Sequence, residues 1–454
     1  MEQMSLREIV EATGGMYSGE ERVIAAVSSD TRDLPEGCLF IALKGDRFDG
    51  HAFVGKALEQ GAAVAVVSDD VEAPPGRVLR VQDTRQAYLD IAGLYRRMLG
   101  LKVVGITGSV GKTTTKEMIA CVCAAGFSTL KTEMNLNNEV GLSQMLLRLT
   151  PEHRVAVLEM GMDGPGQIAP LSRSAAPDIG VVTNIGVSHL EALGSRENIR
   201  DEKLDIRAGI GDSGVLVLNG DDDMLAPVED PRLTVMRYGI DSPDCMVRGS
   251  RIKEFSSHTT FEVAYDGNRF DAQIPSMGKH NVYNALAALC VGIALDIPLH
   301  KAIAALRNYR PAGMRQRIVV HNSFTVVEDC YNASPDSMRA ALETLGHLKC
   351  DGKRIAVLSD MLELGSVAEQ SHRETGHIVA ECGADVLLCT GELARLYQQG
   401  AREKGMGDAA MWFPDKAALY DHLKSILQAG DIAWFKASRG MRLEEVIERI
   451  YREI

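Results

Sequence analysis

The sequence predicts an α/β protein of three domains: a small N-terminal α/β domain over 1–84, a central P-loop domain on a parallel sheet over 85–312, and a C-terminal doubly wound, Rossmann-like domain over 313–454. Three observations predict it. A chain of 454 residues exceeds what one hydrophobic core serves and points to about three domains. Short, nearly continuous apolar runs alternate with helical stretches, the pattern of strands buried between two layers of helices. A glycine-rich loop, GITGSVGKTTTKE (105–117), follows one such run and opens a helix, which fixes the centre of the second domain.

Taken in order, MEQMSLREIVEATGG (1–15) reads as a short amphipathic helix carrying acids, without the basic start and apolar core of a signal peptide. CLFIAL (38–43), AAVAVV (62–67) and RVLRV (77–81), separated by Gly, Pro and acids, read as strands of the first domain. Over 83–99, Tyr88, Ile91, Ala92 and Tyr95 recur at helical spacing, and that helix leads into the strand LKVVGI (101–106). VAVLEM (155–160), IGVVTNI (179–185) and GVLVLN (214–219) supply further parallel strands. Pro311 and Gly313 in NYRPAGMR (308–315) interrupt the pattern and mark the second boundary. FTVVED (324–329), RIAVLSD (354–360), DVLLCT (385–390) and DIAWFKAS (431–438) then alternate with helices as a second doubly wound sheet. Ligands of such sheets gather beyond the carboxyl ends of the strands, where Asp329, Ser359, Asp360, Ser438 and Arg439 fall.

Composition excludes several functions. Lys and Arg number 49 against 62 Asp and Glu, a net charge of −13 that argues against a large footprint on nucleic acid or an anionic membrane. No apolar run is long enough to span a bilayer, so neither membrane insertion nor export is expected, and the cytoplasm is the expected location. Nine cysteines, an odd number without CxxC pairs, fit reduced, packed thiols better than disulfides or zinc.

The loop at 105–117 carries the most chemistry. Backbone N–H groups of Gly108, Ser109 and Gly111 and the following helix N-terminus would cradle phosphates, with Lys112 on the terminal phosphate oxygens and the Thr113 hydroxyl on Mg²⁺. The spacing departs from the usual motif: Ile106 stands five before Gly111, with glycines at 105 and 108. Glu159 ends one strand and His189 follows another, so both would project beside the loop, where a carboxylate and an imidazole suit divalent cations. Lys203 lies in IRDEKLDI (199–206), where residue types alone favour a solvated lysine paired with Glu202 or Asp201. Asn281 and Asn284 are three apart at the start of a helix and could meet a base edge, while Asn281 could equally cap that helix. Asp329 suits a ribose hydroxyl, and Asp336 could be only a helix-start acid.

Read in order, SSDTR (28–32), LFIALKGDRFDGH (39–51), GITGSVGKTTTKE (105–117), NLNNEVG (135–141), LEMGMDGPGQI (158–168), TNIGVSHLEALGS (183–195), DEKLDI (201–206), GKHNVYNALAA (278–288), DCYNASPDSM (329–338) and SDMLELG (359–365) resemble the Mur ligases of peptidoglycan synthesis over nearly the whole chain. Within that family, YNASPDSM, DMLELG and LKGDRFDGH resemble the branch that adds D-alanyl-D-alanine to a UDP-N-acetylmuramoyl-tripeptide through an acyl phosphate.

The resemblance implies a role for each position. Gly108, Ser109, Gly111, Lys112, Thr113 and Thr114 would hold the ATP phosphates, and Thr113, Glu159 and His189 would serve two Mg²⁺ sites, with Lys203 as the family's carbamylated lysine. Lys112, His189 and Lys203 would form the catalytic set. Asn281 and Asn284 would meet adenine, Arg315 the phosphates and Asp329 the ribose. Ser29, Thr31, Arg32, Lys44 and Asp46 would lie against the UDP-sugar, Asn137 and Asn138 against the muramyl group, and Asn332, Ser438 and Arg439 at the C-terminal substrate edge. The partners implied are UDP-N-acetylmuramoyl-tripeptide, D-alanyl-D-alanine and ATP, with a monomer expected. Two rivals stand beside this reading: a sister ligase with another amino-acid acceptor, and a P-loop switch whose nucleotide state controls a partner.

Overall fold

The computed structural model describes residues 1–45, 48–255 and 257–454. Its first sheet has four parallel strands in the order Val27–Ser28, Leu39–Ile41, Val64–Val67 and Val78–Arg80. Helix Leu6–Thr13 starts at a capping box, in which Ser5 Oγ accepts from the Glu8 N–H and the Glu8 carboxylate from the Ser5 N–H. One sheet face packs Phe40, Ala65 and Val67 against helix Val54–Glu59. The other face belongs to a larger cluster: Leu39, Ile41, Val64 and Val66 pack with Tyr88, Ile91 and Tyr95 of helix Thr84–Met98, and with Leu142, Leu146 and Leu171 of the central region. That helix therefore joins the first sheet to the second through one continuous core. Tyr95 also donates to Leu149 O (2.7 Å) and accepts from the Glu2 N–H (3.0 Å).

The central sheet has nine strands in the order Thr129–Lys131, Val155–Glu159, Lys102–Thr107, Ile179–Val182, Val215–Asn219, Thr234–Gly239, Val247–Glu254, Thr259–Tyr265 and Asn268–Ile274. Neighbours are parallel as far as Val247–Glu254, and the last two strands are antiparallel. The expected parallel sheet is present, and this antiparallel extension adds to it. Its strands mix buried with half-buried and exposed positions, and its final hairpin turns at Asp266 (φ 47°) and Gly267 (φ 73°), the left-handed pair of a type I′ turn. Helices Lys112–Ala124, Lys279–Ala294 and Leu299–Leu306 cover the face opposite the shared core.

The C-terminal sheet has six strands in the order Arg317–His321, Phe324–Asp329, Ile432–Lys436, Arg354–Ser359, Val386–Thr390 and Ala410–Phe413. Five are parallel; the edge strand Arg317–His321 is antiparallel and returns through Asn322 (φ 52°), an addition to the expected doubly wound sheet. Both of its faces bury cores of their own. Among the described residues no helix is long and apolar enough to cross a membrane, and the nine cysteines are unpaired thiols.

Candidate functional site

Strand Lys102–Thr107 lies between Val155–Glu159 and Ile179–Val182, so its carboxyl end opens beside two other strand ends. The chain leaves it through 108–111 and enters helix Lys112–Ala124. Two positions there admit only glycine. A Cβ on Gly108 (φ 146°) would stand 1.9 Å from Thr183 Oγ1, and one on Gly111 (φ 82°) 2.8 Å from Asn284 Oδ1. The loop is held from the neighbouring strand end, where Asn184 Oδ1 accepts from the Val110 N–H (3.0 Å) and Thr183 Oγ1 donates to Val110 O (2.7 Å). Lys112 folds back over the loop, donating to Gly108 O (2.7 Å) and Ser109 O (3.2 Å). Burial pushes its ammonium down; Glu159 opposes that shift and Arg315 adds to it.

Glu159 ends its strand 3% exposed. One carboxylate oxygen accepts from Thr113 Oγ1 (2.9 Å) and the other from Asn137 Nδ2 (3.0 Å), while Lys116 Nζ stands 3.9 Å away. Lys116 was not foreseen as a site residue. It is buried on the turn after Lys112, donates to Thr132 O (2.7 Å) and pairs with Glu117 (3.2 Å), with Glu159 next to both. His189 adopts a left-handed conformation (φ 64°), uncommon without glycine and frequent at functional sites. Burial, reinforced by Lys112 and Lys203, pushes its imidazole down to about 4, so near neutral pH it is unprotonated.

Lys203 contradicts the reading from residue types. It is 1% exposed in helix Arg196–Leu204, and neither expected partner takes it. The Glu202 carboxylate accepts three backbone N–H groups, from Gly166 (2.6 Å), Gln167 (2.9 Å) and Ile168 (2.8 Å), and Asp201 pairs with Arg200 (2.8 Å). Burial next to Lys112 pushes the Lys203 ammonium far down, towards the neutral amine. The donors around this corner, a hydroxyl, a carboxylate and a neutral imidazole, are hard or borderline groups that fit Mg²⁺.

A cavity of about 660 Å³ runs from this corner to the C-terminal sheet. Ser109, Gly111, Lys112, Thr113, Thr114, Asn137, Asn138, Glu159 and His189 line it on the central side. Arg315, Asp329, Asn332 and Lys436 line it opposite. Arg315 stacks 3.6 Å over the Tyr331 ring. Asp329 pairs with Lys436 (2.8 Å), which opposes the upward push of burial on its carboxyl. Asp336, in the first turn of helix Pro335–His347, accepts the Val187 N–H (3.2 Å) from the central side and so spans the two walls. Asn281 and Asn284 also line the cavity, but Asn281 is no cap: helix Lys279–Ala294 begins behind Gly278, and both amides are bonded within the protein. Asn138 does cap, its Oδ1 accepting the Gly141 N–H of helix Glu139–Leu147 (2.9 Å).

Other expected residues lie apart from the cavity. Gly108 and Lys203 sit behind its wall. Ser29, Thr31, Arg32 and Lys44 stay on the first domain, where Arg32 pairs with Asp30 (2.6 Å) and Lys44 with Asp69 (2.7 Å). Asp46 falls outside the described residues. Arg85, which was not foreseen, lines the cavity from the start of the central domain while donating to Lys44 O of the first (3.1 Å). Ser438 accepts the Leu362 N–H (2.9 Å) and Arg439 pairs with Glu444 (2.6 Å), neither of them reaching the cavity. Ser359 and Asp360 are structural: the Ser359 hydroxyl donates to Thr390 O, and Asp360 accepts the Glu392 and Ala394 N–H groups (3.0 and 2.7 Å). Asp49, His51 and Asp69 cluster on the first domain, yet His51 Nε2 accepts from the Ser68 and Asp69 N–H groups and its Nδ1 faces Asp49 (2.6 Å), so no ring nitrogen is left for a metal.

Comparison with known proteins matches residues 23–96 to the family described as Mur ligase family, catalytic domain, 106–292 to Mur ligase middle domain, and 314–439 to Mur ligase, glutamate ligase domain. The UDP-N-acetylmuramoyl-tripeptide–D-alanyl-D-alanine ligase of Bacillus subtilis (strain 168) is 38% identical over 98% of this chain and 97% of its own length. The ligase of the same name from Escherichia coli (strain K12) is 33% identical over 99% of each. Among solved structures, MurF from Acinetobacter baumannii aligns over the whole of both chains at 29% identity with a TM-score of 0.91. MurF from Thermotoga maritima in complex with ADP aligns at 27% identity and a TM-score of 0.84, over 94% of this chain and 97% of that one.

Proposed function

The chain belongs to the Mur ligase family, and on that premise we propose that it joins D-alanyl-D-alanine to UDP-N-acetylmuramoyl-tripeptide with cleavage of ATP to ADP and phosphate, in peptidoglycan precursor synthesis. One observation carries the reading. A phosphate loop, a Thr113–Glu159 oxygen pair and an opposed Arg315–Asp329 wall face a single cavity shared by two domains, which suits a reaction needing a triphosphate and two further substrates at once.

A carboxylate is a poor acyl donor, so the terminal carboxylate of the tripeptide first takes the γ-phosphoryl group of ATP, releasing ADP. The dipeptide amine then attacks the carbonyl carbon of this acyl phosphate; the C–O bond breaks, phosphate leaves and an amide remains. Lys112, released from Gly108 O and Ser109 O, turns to the β- and γ-phosphate oxygens, and Arg315 meets them from the other wall. Asp329 and Asn281 with Asn284 face ribose and adenine, Asn332 the C-terminal substrate edge, and Asn137 and Asn138 the muramyl group. Ser29, Thr31, Arg32, Lys44 and Asp46 receive the UDP-sugar, and Ser438 and Arg439 act at the outer edge of the dipeptide site. Substrates divide accordingly among 1–84, 85–312 and 313–454.

Thr113, Glu159 and His189 would hold Mg²⁺, two ions in all, with Lys203 contributing as a carbamate; bound there, the metal neutralises charge between phosphate and carboxylate. CO₂ adds to the neutral amine, and the burial of Lys203 beside Lys112, which shifts its ammonium down, supports this role. A monomer is part of this proposal, and the use of ATP and a UDP-linked peptide supports a cytoplasmic location.

The test is amide formation, read by mass, from a panel of UDP-muramyl tripeptides with ATP and either D-alanyl-D-alanine or single amino acids. A pentapeptide product formed only with the dipeptide is expected. Product with a single amino acid in its place would assign a sister ligase, and ATP hydrolysis indifferent to both substrates would favour a switch.

A further inference from the structure

The buried amides beside the phosphate loop form one directed chain. Thr115 Oγ1, on the phosphate-loop helix, donates to Asn284 Oδ1 (3.0 Å), and Asn284 Nδ2 donates to Asn281 Oδ1 (3.0 Å). Asn281 Nδ2 donates to Gln316 Oε1 (2.8 Å), and Gln316 Nε2 donates to His280 Nε2 (2.9 Å). Every donor points the same way, so each bond polarises the next, and the members from Thr115 to Gln316 are no more than 7% exposed. The chain starts one turn beyond Lys112 and ends where residues 307–316 enter the C-terminal sheet. Gln316 has a left-handed backbone (φ 53°), a conformation that costs a glutamine energy unless its surroundings hold it. The residue before it, Arg315, lines the cavity, stacks on Tyr331 and lies close enough to Lys112 to depress its ammonium.

We propose that Gln316 is a positioning residue for the nucleotide: its carboxamide, tied to the phosphate-loop helix through Asn281, Asn284 and Thr115, holds the interdomain turn that presents Arg315 to the phosphates. The inference rests on the ligase reading for the identity of the nucleotide, and it extends that reading to two residues, Thr115 and Gln316, with no part in the chemistry. A ligand drawing Lys112 and the helix start towards its phosphates pulls on one end of the chain and sets Arg315 at the other.

Three variants separate this from a local packing role. Gln316→Gly keeps the left-handed turn, which glycine adopts freely, but removes the carboxamide; Thr115→Val keeps the shape of the helix end but removes its donor. Binding of a nonhydrolysable ATP analogue and of UDP-tripeptide is measured by calorimetry on the full chain for both single variants and the double. Each single variant is expected to weaken the analogue by roughly ten-fold, the double to be little worse than either single, and UDP-tripeptide affinity to stay within about two-fold. Wild-type analogue affinity for Gln316→Gly would show that the turn needs only backbone freedom and would overturn the proposal. So would losses that multiply in the double variant, because unconnected residues act independently. Thermal melting with the analogue absent identifies variants that unfold; if Gln316→Gly does so, Thr115→Val paired with Gln316→Asn carries the same cycle. Nucleotide binding needs no amide product, so a wild-type protein that binds the analogue but makes no pentapeptide would defeat the ligase reading alone.

Discussion

Lys203 shows how far a residue can stand from its neighbourhood in sequence. IRDEKLDI sets five charged residues among three apolar ones, and its charges outweigh the signal of burial that Ile199, Leu204 and Ile206 carry; Lys203 lies four residues after Ile199, on the helix face that packs into the core, while Glu202 accepts from the backbone of residues 166–168, some 35 positions away. If the amine becomes a carbamate, Lys203→Arg is expected to abolish ligation although it keeps a cation, Lys203→Glu to retain more activity than Arg, and rigorous removal of CO₂ and bicarbonate to lower wild-type activity reversibly. Normal ligation by Lys203→Arg in CO₂-free buffer would contradict the assignment. His280 gives a prediction with a sign. Burial, helped by nearby Lys436, pushes its imidazole down to about 4 from an ordinary value near 6.5. The unfolded chain therefore binds more protons between these limits, and stability rises with pH across the window: the contribution is complete above about pH 6.5 and lost as pH falls towards 4. Thermal melts from pH 7 to 4.5 should show this slope, and His280→Asn should flatten it. The phosphate loop, in contrast, was legible residue by residue, because its chemistry is carried by backbone N–H groups and glycines that the motif itself specifies.

Elements were legible where both faces are buried and less so where one face meets water. Strands such as Val155–Glu159, Ile179–Val182 and Val386–Thr390 are buried at every position, and each appears in the sequence as an unbroken apolar run. Val247–Glu254 and Asn268–Ile274 carry charged residues at half-buried and exposed positions, so they show no such run, and the Asp266-Gly267 turn that joins Thr259–Tyr265 to Asn268–Ile274 went unread in the sequence. Among connections, the segment 160–168 matters most, since Met162, Asp163 and Gln167 line the cavity from it while the N–H groups of its end, residues 166–168, rest on one carboxylate, that of Glu202. Glu202→Ala leaves three N–H groups without their acceptor, and a stability loss of about 1–3 kcal/mol is expected, read as a fall in melting temperature. Ligation should fall with it as the cavity wall loosens. An unchanged melting temperature would mean that water replaces the carboxylate at no cost.

At the scale of the molecule, the cores predict which part moves. The first and second sheets share a hydrophobic cluster through helix Thr84–Met98, whereas the C-terminal sheet keeps two cores of its own and is reached through the open segment 307–316. Three domains were legible from chain length and breaks in pattern; the unequal joining was not, because it depends on which helix faces meet across sequence-distant elements. The C-terminal domain is therefore expected to swing against a unit formed by the other two, closing over ATP and excluding water from the acyl phosphate. Small-angle scattering with a nonhydrolysable ATP analogue and UDP-tripeptide together should show a smaller radius of gyration than the free protein, and an unchanged profile would contradict the hinge. The central claim, that one cavity activates a carboxylate as an acyl phosphate before an amine replaces the phosphate, is tested most directly by oxygen transfer. UDP-tripeptide labelled with ¹⁸O in its terminal carboxylate is incubated with ATP and D-alanyl-D-alanine, and the released phosphate is analysed by mass. The account predicts one carboxylate oxygen in the phosphate for each pentapeptide formed; pentapeptide accompanied by unlabelled phosphate would contradict it.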